Sequence, residues 1–288
     1  MVLFLVLSIL FTSYLVFAFK VFERLGINNF HVIVINYVIC VITGSVFQSD
    51  IPDYKSYFQQ DWIWIALILG TGFITFFNVM ARVTKQEGIT VTSVATKLSM
   101  VIPITVAVIL YDEHLSILKI VGIVLSLLAV YLTSHRKDEE GHSLKMGGLL
   151  LLLVLFLGSG MNDSLAKHAQ QGYLTNDTFD DFITTCFTVA AFIGLTALFY
   201  DVFVRKTKFY KRVLIAGIML GVPNYFSIYF LLKALDYGDA SFIYPVNNIG
   251  IVGFSTITAR LFFKEQISVR NWIGLGIAVT AIVLMSVG

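Results

Sequence analysis

GITVTSVATKLSMVIPITVAVIL, residues Gly88–Leu110, is the stretch on which the reading of this chain turns. It is long and apolar enough to cross a bilayer, which takes about 20 residues at helical rise. Yet Lys97 stands inside it, Pro103 follows within two turns, and Thr90, Thr92, Ser93, Thr96 and Ser99 crowd the same half. A charge in the middle of a membrane helix costs roughly 2.5–3.5 kcal/mol on insertion scales. Such a lysine faces a polar cavity or a partner rather than lipid.

The surrounding chain has the composition of a polytopic membrane protein. Of its 288 residues 57% are hydrophobic and only 13% charged, with a mean hydropathy of +0.84. A soluble domain carries about 25% charged residues. No basic patch on a soluble domain points to nucleic acid. Cys40 and Cys186 both fall in apolar runs and give neither a disulfide framework nor a metal spacing. The opening MVLFLVLSIL has no basic residue ahead of its apolar run, unlike a secretory signal. It reads as a retained helix.

Ten apolar runs reach or approach membrane length: roughly 2–22, 30–48, 62–82, 89–111, 116–134, 146–168, 178–200, 213–235, 240–263 and 269–287. Short connections leave no room for a soluble domain. The fourth and fifth runs have a sequence twin. EGITVTSVATKLSMVIPITVAVILYDEHLSILKIVGI aligns with YGDASFIYPVNNIGIVGFSTITARLFFKEQISVRNWIGL, pairing Gly88 with Gly238, Glu113 with Glu265, Ser116 with Ser268 and Gly122 with Gly274. The expected fold is therefore all-α and integral to the membrane: ten transmembrane helices in two five-helix repeats. Residues 1–134 form the first repeat, 135–145 a central loop and 146–288 the second. An odd number of helices per copy inverts the second copy in the membrane, a plan that transporters use.

Loop charges give the same alternation. Fifteen of the twenty Lys and Arg residues fall on the side of the odd-to-even connections, four fall opposite, and Lys97 is left within the membrane. The basic side belongs in the cytoplasm, which places both termini outside.

The repeat, and above all LLKALDYGDASFIYPVNN and ARLFFKEQISVRNWIGLGIAV around helices 8 to 10, resembles the drug/metabolite transporter superfamily, EamA type. The signals are the small-residue turns before helices 4 and 9, the Glu-x-[Leu/Ile]-Ser turns at Glu113–Ser116 and Glu265–Ser268, and the glycines that follow. The resemblance implies a carrier of small metabolites, amino acids, drugs, sugar phosphates or nucleotide sugars, in the cell (inner) membrane. It also implies termini in the cytoplasm, opposite to the charge count. Small multidrug antiporters of the superfamily carry a carboxylate in their first helix; here no acidic residue precedes Glu23. That speaks against their cation–proton exchange.

The polar residues inside the spans are the candidates for chemistry. No Gly-x-x-x-x-Gly-Lys-[Ser/Thr] loop, zinc-protease helix or nucleophile elbow is present, so transport would be secondary and no enzyme, metal or cofactor is expected. Lys97, with Thr96 beside it, is either a solute contact or a structural pair. Asn247 and Asn248, preceded by Tyr244 and Pro245, occupy the matching place in helix 9. They either bind a polar ligand or join helices, and pointing about 100° apart at helical spacing they send only one side chain into a cavity. Asp163 in helix 6 is either a coupling site or half of a salt bridge with Lys167 or Lys97. Asn224 and Tyr225 follow Pro223 in helix 8, and Tyr225 shares a face with Tyr229. Asn36 and Asn78 are cavity or glue. The five histidines, together with Trp62, Trp64 and Trp272, are expected at interfaces. Gly122, Gly274 and Gly276 allow helices 5 and 10 to approach each other or a second copy, so the chain is a monomer or a homodimer through those helices. A cationic, amide-rich cavity suits a small carboxylate-bearing or zwitterionic solute, and the resemblance then implies export of amino acids or related zwitterionic or anionic solutes. Sugar or nucleotide uptake, or a lipid-linked-sugar flippase subunit or other non-transporting partner, are the alternatives.

Overall fold

The structure is a computed structural model and describes residues 1–48, 54–87, 96–134, 146–175, 178–263 and 268–287. Among these residues the ordered elements are all helical. The main helices are α1 (Val2–Arg24), α2 (Asn29–Gln48), α3 (Ile63–Glu87), α4 (Val101–Tyr111), α5 (Ile117–Ser134), α6 (Met146–Gly172), α7 (Phe179–Phe203), α8 (Lys211–Asp236), α9 (Ala240–Phe263) and α10 (Val269–Val287). A single helical turn, Tyr54–Tyr57, precedes α3. Six helices (α1, α2, α3, α6, α7 and α8) are long and apolar enough to cross a membrane, and 96–111, 117–132 and 272–285 are shorter apolar stretches, the first interrupted by a turn. The Glu265 turn, the central loop and the start of the opening stretch, residues 88–95, lie outside the described residues.

The helices pack across the two halves of the chain more than within them. α1 lies on α8 and α9, α2 on α7 and α8, α3 on α6 and α7, and α5 on α9 and α10. The main apolar core is centred on α2 and α7, where Tyr37, Cys40, Phe182, Ile183 and Phe187 are buried. Large apolar side chains such as Ile117, Phe192 and Val279 stay exposed around the outside. Water would disfavour that surface, whereas a bilayer accepts it. Close approach comes from small residues, as is usual between membrane helices. A methyl group at Gly160 of α6 would run into Ile102 of α4, and one at Gly122 of α5 into Met285 of α10. Helices α5 and α10 thus pack on each other within the chain, but Gly276 takes no part and faces open space.

Turns gather at two ends. Tyr57 donates to Asp181 at 2.6 Å, Lys119 pairs with Asp239 at 2.9 Å, and the hydroxyl of Tyr111 meets His168 Nδ1 at 2.7 Å. These contacts join the α2–α3, α4–α5, α6–α7 and α8–α9 connections. At the other end His31 meets Asp201 at 2.9 Å, joining the start of α2 to the end of α7. His31 is fully buried, so it stands at a helix end as expected but packs inside the bundle rather than on its surface. Trp62 differs in the same way. It is 1% exposed under Tyr57 and Phe182, while Trp64 is 72% and Trp272 58% exposed. The helical phase at the start of α3 turns Trp62 inward and leaves its neighbour but one facing out.

Candidate functional site

The opening stretch is not one unbroken helix. Residues 96–98 are helical, Ser99 and Met100 form a turn, and α4 begins at Val101. Pro103 supplies the reason: it has no N–H to give the Ser99 carbonyl, and its ring crowds that carbonyl. Ile102 N–H takes the Ser99 carbonyl instead at 3.0 Å, and Ser99 Oγ donates to the Thr96 carbonyl at 2.6 Å. The break holds Lys97 at the head of a short helix, within reach of the opposite half.

Lys97 Nζ donates to Asn248 Oδ1 at 3.1 Å, and Asn248 Nδ2 contacts Met100 Sδ at 3.4 Å. One of the two adjacent amides therefore meets the lysine. The other, Asn247, is buried with its Oδ1 unmatched. Asp163 stands on α6, which packs against α4 just beyond Lys97. Among the described residues Asp163 and Lys97 do not close into an ion pair. Tyr244 of α9 donates to the Asp163 main-chain carbonyl at 2.8 Å, which anchors α9 on α6 without engaging the carboxylate. Lys97, Thr96 and Asp163 each keep part of their surface accessible. The expected pair of Asp163 with Lys167 does not form. Lys167 Nζ goes to the Leu235 carbonyl at 3.1 Å and to Gln170 at 3.3 Å, because its long stem reaches toward the exposed-carbonyl end of α8.

Asn224 and Tyr225 lie in a second cluster, with no polar contact to the first among the described residues. Asn224 Nδ2 donates to Asn36 Oδ1 at 3.2 Å, and Cys40 Sγ contacts the Gly221 carbonyl at 3.2 Å, so amides and thiol tie α8 to α2. The ring of Tyr225 stacks on Tyr229 at 6.2 Å and packs against Phe187. Asn78 donates to the carbonyl of Ile74, one turn back on its own helix, at 2.7 Å.

One group carries a role that sequence reading missed. The Glu113 carboxylate accepts the backbone N–H groups of Ala240 at 2.8 Å and Ser241 at 3.1 Å. It thereby satisfies two of the free donors at the start of α9, where a helix favours negative charge. The repeated Glu-x-[Leu/Ile]-Ser turn marked the position but not its partner. Around it, Lys119–Asp239, Gln170–Asp236 at 2.8 Å and Lys167–Leu235 fasten α5, α6 and the α8–α9 turn together. This end of the bundle is closed by polar contacts above the Lys97 cluster.

The comparisons with known proteins agree with this architecture. A solved crystal structure superposes with a TM-score of 0.79 at 15% identity, over 99% of this chain and 96% of that one, which shows a shared fold. An "Uncharacterized protein" of Haemophilus influenzae is 30% identical over 271 residues, covering 91% of this chain and 90% of its own length. Shorter similarities link the chain to two proteins described as "Probable 4-amino-4-deoxy-L-arabinose-phosphoundecaprenol flippase subunit ArnE". The one from Hamiltonella defensa is 35% identical over 57 residues, 20% of this chain and 50% of its own. The one from Proteus mirabilis is 34% identical over 82 residues, 28% of this chain and 66% of its own. The EamA-like transporter family matches residues 1–135 and again 146–287, and the chain, a multi-pass membrane protein, belongs to that family.

Proposed function

We propose that the chain is a secondary transporter that exports amino acids or related zwitterionic or anionic solutes by alternating access across the cell membrane. The observation that carries this reading is the unclosed pair Lys97 and Asp163. Two side chains of opposite ionisable type stand in apolar segments whose helices α4 and α6 pack together, and both residues remain partly accessible. Ionisable side chains within membrane segments usually mark a solute or ion path. A solute carboxylate would meet Lys97 and Asn248, and its amino group would meet Asp163. Nothing in the chemistry of these groups requires a cofactor.

Ten crossings in two inverted halves give this site its moving parts. Helix packing supports that plan. Exchanging each helix with the one five places along turns the α1–α8 contact into α6–α3, α1–α9 into α6–α4 and α2–α8 into α7–α3, all of which are present. In such a carrier the two halves rock about a midplane site. The Glu113, Lys119 and Lys167 contacts would close one end, and they would part when the other end shuts. Any homodimer would use the outward faces of α5 and α10, where Val124 and Val279 are exposed.

Thermal-shift titration of the purified protein with pools of amino acids and of sugar or nucleotide solutes, repeated on Lys97→Ala, tests the reading. Stabilisation of the native protein by a zwitterion, lost in the variant, is expected. Equal stabilisation of both removes Lys97 from the site. The short ArnE similarities favour a second reading, a subunit that moves a lipid-linked aminosugar. That reading expects stabilisation by the lipid-linked sugar and none by soluble amino acids.

A further inference from the structure

An open cavity of about 790 Å³ lies away from Lys97, which is not among its lining residues. It is a groove on the outer face of α3 and α7, running toward the end that carries the basic α7–α8 connection. Its wall is mainly apolar (Phe30, Phe192, Ile193, Ala197) with Asn78 and Thr196 among them, and Tyr200, Asp201 and Arg205 stand at its mouth.

That connection holds Arg205, Lys206, Lys208, Lys211 and Arg212 within eight residues, all exposed. It is also fastened in place. Thr207 donates its hydroxyl to the Asp201 carboxylate at 2.7 Å, and its N–H to the Asp201 carbonyl at 3.2 Å. Lys206 takes a left-handed backbone, φ 56°, which turns the chain back over the end of α7. Buried His31 meets the same carboxylate oxygen, Asp201 Oδ2, at 2.9 Å and stacks on Phe209 at 5.7 Å. Asp201 Oδ2 is thus shared by His31 and Thr207, and Oδ1 faces Arg205. It reaches Arg205 only at 3.8 Å, and Arg205, 69% exposed, lies over the Tyr200 ring at 5.6 Å. With five basic residues in the connection beside the single Asp201 carboxylate, the mouth carries net positive charge.

The same end displays Phe199, Tyr200, Phe203, Phe209 and Tyr210 as exposed aromatics. Aromatic belts of this kind sit at the headgroup level of a bilayer. The groove therefore opens where lipid phosphates lie, and its apolar wall descends into the acyl region. Basic pockets beside membrane helices suit anionic headgroups.

We propose that the α3–α7 groove is a binding site for one anionic glycerophospholipid. An acyl chain lies against Phe192 and Ala197, and the phosphate is held by Arg205 with Lys206 and Lys208. The site is separate from the Lys97 cluster and stands whether or not that cluster binds solute.

Native mass spectrometry of the protein released from nanodiscs of phosphatidylglycerol or of phosphatidylcholine tests this. A retained phosphatidylglycerol is expected, with phosphatidylcholine retained far less. Arg205→Gln should lower its occupancy about five-fold, the scale of one basic residue at an anionic surface. Ala197→Trp, which fills the groove at an exposed position and leaves the charges alone, should lower it too. Arg270→Gln, a basic residue over the ring of Tyr131 elsewhere, should not. Equal loss in Arg270→Gln would reduce the effect to a diffuse basic surface and overturn the site. So would equal retention of phosphatidylcholine, or displacement of the lipid by excess inorganic phosphate, which would assign the cluster to free anions.

Discussion

Lys97 Nζ and Asn248 Oδ1 are 3.1 Å apart, a hydrogen bond between the broken start of α4 and the middle of α9. A neutral amide accepts from a lysine without cancelling its charge. The arrangement leaves Lys97 oriented and still able to attract an anion. Asn248→Asp would replace that acceptor with a counter-charge. We expect the variant to be more resistant to heat than the native protein and inactive in transport, because Lys97 would then be locked in an ion pair. A variant that transports normally would show that the lysine charge is not used.

Asn247 and Asn248 should separate in their effects. Asn248→Ala leaves the lysine with one acceptor fewer, a loss of about 0.6 kcal/mol on the scale of hydrogen bonds between membrane helices, and it should weaken solute binding. Asn247 has an unmatched Oδ1, so Asn247→Leu should be neutral or stabilising and should leave affinity unchanged. Isothermal titration of both variants checks the difference.

Removing the carboxylate that caps α9 should be felt locally. Glu113→Ala deprives the Ala240 and Ser241 amides of their acceptor and should cost about 0.5–2 kcal/mol, as the loss of a helix cap does. Hydrogen exchange should rise at 240–243. Asp239→Asn removes an exposed partner of Lys119 and should cost at most about 1 kcal/mol. Equal exchange in the two variants would count against the capping role.

Small residues at the half-to-half contacts should tolerate little. Gly160→Val pushes a side chain into Ile102, next to the Pro103 break, and overpacking of this kind costs about 1–3 kcal/mol. Gly276→Val faces open space and should leave thermal stability unchanged.

Much of this was legible in the chain, since apolar runs and turns fix where helices begin and end to within a few residues. The membrane class and the family followed from composition and from the doubled Glu-x-[Leu/Ile]-Ser turn. Lys97 meets Asn248, one of the two asparagines that the alignment of the two sequence copies sets opposite it. Other features depend on contacts between distant segments. Trp62 and His31 looked like interface residues because they begin helices, and only the packing of Tyr57, Phe182 and Asp201 shows them buried. Lys167 is one turn from Asp163, yet the Leu235 carbonyl draws it away. The turn at Ser99–Met100 was foreshadowed by Pro103, although a proline alone does not say whether a helix bends or breaks; Pro223 and Pro245 lie inside continuous α8 and α9.

The central claim is that one solute bridges Lys97 and Asp163. Uptake into proteoliposomes of three matched solutes tests it most directly: an amino acid, its decarboxylated amine and its deaminated acid, on the native protein, Lys97→Gln and Asp163→Asn. The native protein should carry the zwitterion best. Lys97→Gln should lose the discrimination against the amine, and Asp163→Asn the discrimination against the acid. If both variants keep the native order of preference and rate, neither charge holds the solute and the account is wrong.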